Sequence, residues 1–257
     1  MEGSMKYLKA AVIAFGMYSK IPMPRTEWDK EPMKYVMCFF PWVGAVIGAC
    51  FYLWGIVGKG IPIGETLYTV ILMVIPVFLT GGIHMDGFLD TTDALSSWQT
   101  KERRLEILKD SHAGAFAVIG GCLYFLLYYG FVSELMVKDL GTVSISFFLS
   151  RCLSGYAVMA FPCAKNTGLA AAFAEGADKK RVQKILLIET ILVAAVLLWS
   201  NFFAGGAVIV VSLLVFCWYH KMSVEQFGGI TGDLAGWFLQ VCELATLIAV
   251  TVTAKII

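Results

Sequence analysis

The sequence predicts an all-α, polytopic membrane bundle of about seven transmembrane helices, preceded by an N-terminal interfacial helix. Three observations carry this. Of 257 residues, 58% are hydrophobic and 15% charged, whereas a soluble domain is roughly half apolar and about a quarter charged. The mean hydropathy is +0.75. The apolar excess is gathered into blocks of about twenty residues, the length that crosses a bilayer core. No internal repeat or appended soluble segment interrupts the pattern, so residues 1–257 read as one integral membrane domain. A net charge of +1 gives no global field to steer a polyanion, and no nucleic-acid partner is expected.

Taken in order, the chain begins with Lys6 and Lys9 ahead of a short apolar run. No small-residue cleavage site follows, only "SKIPMPRTEW", so residues 5–19 are expected to form a retained helix lying in or near the interface. Seven spans follow, at about 35–57, 67–85, 112–137, 140–163, 182–202, 204–220 and 234–254, each bounded by charge, Pro or Gly. The fifth and sixth nearly touch at Asn201 to Gly206, which predicts a tight hairpin.

The loops set orientation. Lys20, Arg25, Lys30 and Lys34 precede the first span, and the next loop has only Lys59. Lys101, Arg103, Arg104 and Lys109 follow the second span; Lys138 alone follows the third. Lys165, Lys179, Lys180 and Arg181 follow the fourth, and the next turn has none. Rich and poor loops alternate, and the positive-inside rule places the rich ones on the cytoplasmic side. Seven spans put the loop 221–233, with Lys221, there too. The seven cysteines are scattered without a C-x-x-C pair and read as small buried hydrophobes.

Against this background "GGIHMDGFLDTTDAL", residues 81–95, stands out. Asp86, Asp90 and Asp93 are spaced i, i+4, i+7 and share one helix face. Like charges so placed repel, and a cation among them relieves the repulsion. Magnesium suits the donors, because it takes carboxylate oxygens, keeps waters and bridges to substrate phosphates. A solvated acidic cap would explain one or two such residues, but not three beside Met85, Phe88 and Leu89. In "KERRLEILKDSHAG" the periodicity is helical and puts Arg103, Glu106 and Asp110 on a common face. Carboxylates for a metal with Arg103 and Arg104 nearby make a phosphate site; ordinary positive-inside charge is the alternative for each basic residue.

The stretch "FGGITGDLAGW", 227–237, combines Gly228, Gly229 and Gly232 with Asp233 at the mouth of the last span. A glycine turn opening a helix offers backbone N–H groups to a phosphate, although glycines also pack membrane helices. Arg151, Glu189 and Glu243 lie inside spans, where charge is costly and suggests function or pairing. Arg151 is either a phosphate ligand or one half of a structural Arg–Glu bridge. His84 is a ligand, a phosphate donor or a satisfied polar helix residue.

These blocks resemble one family. "GGIHMDGFLDTTDAL", "RRLEILKDSHAGAFAVI" and "FGGITGDLAGW", in that order and with "IPMP" and "FFPWVGAVIG" before them, are similar to the adenosylcobinamide-GDP ribazoletransferases, the membrane cobalamin synthases. The resemblance covers nearly the whole chain. It departs at Ser19-Lys20 and Lys165, where arginine is usual in the second position and in the third, and at Ala94, where glycine is usual. Lysine keeps the charge but loses the bidentate fork.

The resemblance implies a Mg²⁺-dependent enzyme of the plasma membrane, with its active face cytoplasmic. It joins adenosylcobinamide-GDP to α-ribazole or its 5′-phosphate, releasing GMP. Asp86, Asp90 and Asp93 would hold the metal, and Asp93 or Asp110 would accept the acceptor's proton. Arg103, Arg104, Arg151, Gly228, Gly229 and Asp233 would bind substrate and phosphate. Association with other enzymes of nucleotide-loop assembly is a further expectation. Three rivals use similar physics. CDP-alcohol phosphotransferases carry spaced aspartates in a different order, intramembrane prenyltransferases carry two acidic motifs, and an ion transporter would place carboxylates at the midplane of repeated halves.

Overall fold

The computed structural model describes residues 2–26, 29–165, 173 and 175–257. The N-terminal helix α1 (Glu2–Tyr18) and the short α2 (Lys30–Met33) precede the first long helix, α3 (Val36–Val57). Then come α4 (Glu65–Thr80), α5 (Ile83–Ser96), α6 (Lys101–Ile107), α7 (Ala115–Ser133) and α8 (Leu140–Ala160). The last three are α9 (Lys179–Ser200), α10 (Phe202–Phe227) and α11 (Gly232–Ile256). Among the described residues, six helices are long and apolar enough to cross a membrane: α3, α7, α8, α9, α10 and α11. The pair α4 and α5 makes a seventh span only if taken together, and it is bent by 94°.

Burial sorts the helices by role. In α8, 78% of the residues in the most apolar stretch are buried, against 22% in α9 and 28% in α7 and α10. Helix α8 is therefore the bundle's axis, flanked by α3 and α11. The outer helices leave Leu126, Leu192 and Leu214 uncovered, which is the face lipid wets, since lipid tails are as apolar as leucine. The expected hairpin is present: Asn201 alone separates α9 from α10, and its side chain caps α10 by accepting from Ala204 N–H at 3.0 Å.

Two expectations need correction. The span expected at 67–85 does not run through. It breaks at Gly81 and Gly82, both left-handed (φ +65° and +80°), a conformation that costs any other L-residue. Their N–H groups close α4 by donating to Phe78 and Val77 carbonyls. The loop expected at 221–233 is mostly helix: α10 continues to Phe227, so Lys221 is helical and only residues 228–231 connect α10 to α11.

The basic loops meet on one face. Lys101 Nζ donates to the Val224 carbonyl at 3.3 Å, and Arg104 bonds Gln226, tying α6 to the end of α10. Lys165 Nζ donates to the Leu105 carbonyl at 2.8 Å. Residues 162–164 pair with Ile230: Ile230 N–H donates to Pro162 O at 2.8 Å, and Ala164 N–H donates to Ile230 O at 2.9 Å. At the opposite end Lys255 pairs with Glu134. Three connections that alternate along the chain thus form one continuous surface.

Candidate active site

The site is built where α5 turns across this surface. The N-terminal arm pins the turn: Lys20 N–H donates to Leu79 O at 2.7 Å, and its side chain crosses Gly81. A Cβ on Gly81 would fall 2.2 Å from Lys20 Cε, so only glycine leaves room for that arm. Beyond the turn, Met85, Phe88 and Ala94 face the core of the bundle. That apolar side fixes the rotation of α5 and leaves Asp86, Asp90 and Asp93 on the other.

Helix α11 approaches α5 backbone to backbone. A Cβ on Gly87 would lie 2.6 Å from Asp233 O, and one on Gly236 would lie 3.2 Å from His84 Cα. Asp233, in the first turn of α11, is thereby brought beside the α5 rank, and Asp90 sits within electrostatic range of Asp86, Asp233 and Asp93. Thr231 Oγ1 caps α11 by accepting from Leu234 N–H at 3.2 Å. The "DSHAG" loop closes the other end of the rank. A Cβ on Gly114 would sit 2.2 Å from both carboxylate oxygens of Asp93.

None of the three α5 carboxylates belongs to an ion pair among the described residues. The pairs form elsewhere, on Asp29, Glu31, Glu65, Glu106, Asp110, Glu243, Glu225 and Glu134. Among the described residues, no three His, Cys, Asp or Glu side chains close into a ready-made metal cage either. The carboxylates form an open rank. Such a rank leaves coordination positions for water and phosphate oxygens, which is how Mg²⁺ is usually held.

The predicted basic residues separate. Arg103 is exposed and paired with Glu106 at 2.7 Å. Arg104 is only 9% exposed and fastens α6 to α10 through Gln226. Lys165 stands nearer the acidic rank than composition suggested. Burial, then the charge of Lys109, lowers its pKa, while Asp233 and Glu106 oppose that shift. Asp110 does not share a helix face with Arg103 and Glu106, because α6 ends at Ile107. Asp110 Oδ1 instead takes His112 Nδ1 and N–H at 2.8 and 3.0 Å, and these bonds, side chain first, lower its pKa.

The N–H groups of Gly228 and Gly229 are not free for phosphate. They donate to the Val224 and Ser223 carbonyls and close α10. Arg151 lies in the bundle interior with no solvent exposure, its Nη1 bonded to Glu243 and also to Ser150 Oγ at 3.0 Å, the structural bridge that the sequence had allowed. His84 is the surprise of the site. It is 4% exposed, yet its Nε2 has no hydrogen-bond partner among the described residues.

Comparison with known proteins identifies the family. The family model described as cobalamin-5-phosphate synthase matches residues 10–251. The adenosylcobinamide-GDP ribazoletransferase of Lachnoclostridium phytofermentans is 46% identical over 253 residues, covering 98% of this chain and 97% of the relative. The protein of the same name from Clostridium perfringens is 32% identical, covering 94% and 97%. That from Pseudomonas syringae is 30% identical, covering 85% and 88%. No solved structure matches the chain. A whole-length match, with the acidic rank of α5 facing Asp233 within it, places this chain in the cobalamin-5-phosphate synthase family.

Proposed function

We propose that the protein is an adenosylcobinamide-GDP ribazoletransferase that completes the nucleotide loop of cobalamin at the cytoplasmic face of the plasma membrane. The observation that carries the site assignment is the unpaired rank Asp86, Asp90 and Asp93 on α5, facing Asp233, in a chain of this family. A hydroxyl oxygen of α-ribazole, or of its 5′-phosphate, forms a new bond to the phosphorus attached to cobinamide. The bond from that phosphorus to the bridging oxygen of the diphosphate breaks, and GMP leaves with the oxygen.

The α5 carboxylates fit Mg²⁺ by donor type and by having no basic partner among the described residues, and Asp86 and Asp90 would be its primary ligands in this reading. When bound, the ion neutralises the diphosphate and the leaving GMP. The protein's own groups do the rest. Lys165, in electrostatic range of Asp233, and Lys109 near it supply positive charge and orient phosphate oxygens. Arg103, already on the surface, exchanges Glu106 for a phosphate oxygen at small cost, because an exposed pair contributes little.

Asp93 accepts the hydroxyl proton. Its oxygens abut Gly114, whereas Asp110 is the weaker base because His112 holds its carboxylate in the ionised form. The carboxyl so protonated returns its proton to solvent at the exposed face.

The test uses wild type and Asp90→Asn in lipid, assayed for GMP release from cobinamide-GDP with α-ribazole 5′-phosphate across a Mg²⁺ titration. The expected result is Mg²⁺-dependent release by wild type and a loss of at least about a hundredfold in the folded variant, the scale of one electrostatic transition-state contact. No release by folded wild type under any divalent metal would refute the reaction. A fully active variant would keep the reaction and remove the metal site.

A further inference from the structure

A cavity of about 130 Å³ opens beside the acidic rank, between α1, α3, α5, α8 and α11. By the same measure a single water needs only roughly 10–15 Å³, so this space is sized for an organic group. Its walls are mostly aromatic and aliphatic, with Tyr18, Phe40, Phe173, Val158 and Leu239, and among the described residues Ser154 is the one hydroxyl residue on them besides Tyr18. One end is acidic, where Asp86 and Asp233 line it. His84 lies in the wall between the two. Its ring is parallel to Tyr18 within 21°, centroids 6.3 Å apart, and meets the edge of Phe40 at 5.9 Å. Its Nε2 is buried and without a partner among the described residues, which is costly unless a bound group supplies one.

We propose that this cavity is the subsite for the aromatic base of the acceptor nucleoside, and that His84 Nε2–H donates to the base's one unsubstituted ring nitrogen. The assignment rests on the ribazoletransferase reading and deepens it. A benzimidazole is flat, bicyclic and apolar except for that nitrogen, so one buried donor in an aromatic slot matches its whole polar inventory. A guanine edge would take the carboxylates Asp86 and Asp233 for its N–H donors, and Asp86 is committed to the metal in this reading. The corrin is far too large for the space. With the base in the slot, the ribose lies at the acidic end, beside Asp86 and the rank that holds the diphosphate. The cavity therefore also explains how the hydroxyl is aimed at phosphorus.

The experiment compares wild type, His84→Ala and Val158→Phe, each checked for native elution and thermal unfolding. Two readouts are taken. One is equilibrium binding of α-ribazole without donor; the other is steady-state KM for each substrate. Acceptors are α-ribazole and its analogue with an indole base, in which the unsubstituted ring nitrogen is replaced by C–H.

Val158→Phe fills the slot and is expected to abolish α-ribazole binding while the KM for cobinamide-GDP stays within about twofold. Wild type is expected to prefer α-ribazole over the indole analogue by roughly tenfold, the size of one hydrogen bond, and His84→Ala to erase that preference. An unchanged acceptor KM in both variants, or loss of guanosine nucleotide binding instead, overturns the subsite. If wild type binds α-ribazole but releases no GMP, the reaction fails while the binding data still decide the slot.

Discussion

A guanidinium with no solvent contact is tolerated only with a counter-charge, and the Arg151–Glu243 pair shows the consequence at the scale of one residue. Both side chains are essentially unexposed (0% and 1%), and they join α8, the axis of the bundle, to α11, which carries Asp233. Removing one partner leaves a buried charge uncompensated, which costs about 3–5 kcal/mol, whereas replacing both with apolar residues of similar volume is nearly neutral. Arg151→Met is thus expected to lower the unfolding temperature sharply, and Arg151→Met/Glu243→Met to restore most of it, with turnover following stability. Thermal unfolding of the three proteins in one lipid checks this. A stable double variant without turnover would return Arg151 to the phosphate role that the sequence also allowed.

At the scale of elements, the decisive feature is the break between α4 and α5. It turns α5 so that its aspartates face the surface where three basic connections meet. Gly81 and Gly82 each pay the left-handed φ on substitution, about 1–2 kcal/mol, but their surroundings differ. A Cβ on Gly82 meets nothing within 4 Å, whereas one on Gly81 collides with the Lys20 stem from Cγ to Cε. Gly81→Ala is therefore expected to lose more stability than Gly82→Ala, and to lose activity further by displacing the N-terminal arm. Unfolding temperatures and GMP release of the two variants decide it; equal effects would mean that the arm does not hold the turn.

This break also marks where sequence reading stopped. The spans were legible because lipid forces backbone satisfaction within each helix, and the observed helices fall close to the expected blocks. The apolar run through Leu79 and Ile83 looks continuous to any hydropathy window, and a glycine pair signals packing as readily as a hinge. The aspartate rank was legible because its spacing lies within one helix. Asp233 beside Gly87, and Gly114 against Asp93, are contacts between distant segments that no local pattern encodes. Helical periodicity likewise carried α6 past its end and put Asp110 on a face that it does not share. His84, weighed as a ligand or a satisfied helix residue, lies in a cavity wall enclosed by five elements, its Nε2 without a partner among the described residues.

At the scale of the whole molecule, the parity of crossings decides which side the C-terminus occupies. The residues that join basic loops, Lys101 to Val224, Arg104 to Gln226 and Lys165 to Leu105, lie on the active face. Helix α11 starts there at Gly232 and runs 25 residues to Ile256, about 37 Å at 1.5 Å per residue, more than the hydrocarbon thickness. The Lys255–Glu134 pair fixes its far end beside the turn after α7, a connection poor in basic charge. Helix α4 has 16 residues, about 24 Å, less than the hydrocarbon thickness, and counts as a span only together with α5 across the 94° bend. With that pair counted the total is odd, and the positive-inside rule then predicts the active face inside and the C-terminus outside.

The expected outcome is that a cysteine at position 257 (Ile257→Cys) reacts with a membrane-impermeant maleimide added to intact spheroplasts. A cysteine at 109 (Lys109→Cys) is expected to react only after permeabilisation. The exposed Cys122 and Cys217 are first replaced by alanine so that they do not report. The reverse pattern, Lys109→Cys labelled in intact spheroplasts and Ile257→Cys only after permeabilisation, would mean an even number of crossings, because the five helices α7 to α11 separate the two sites either way. The α4–α5 pair would then be a re-entrant element that dips into the bilayer and returns, and the acidic rank would lie on the outer side of the membrane.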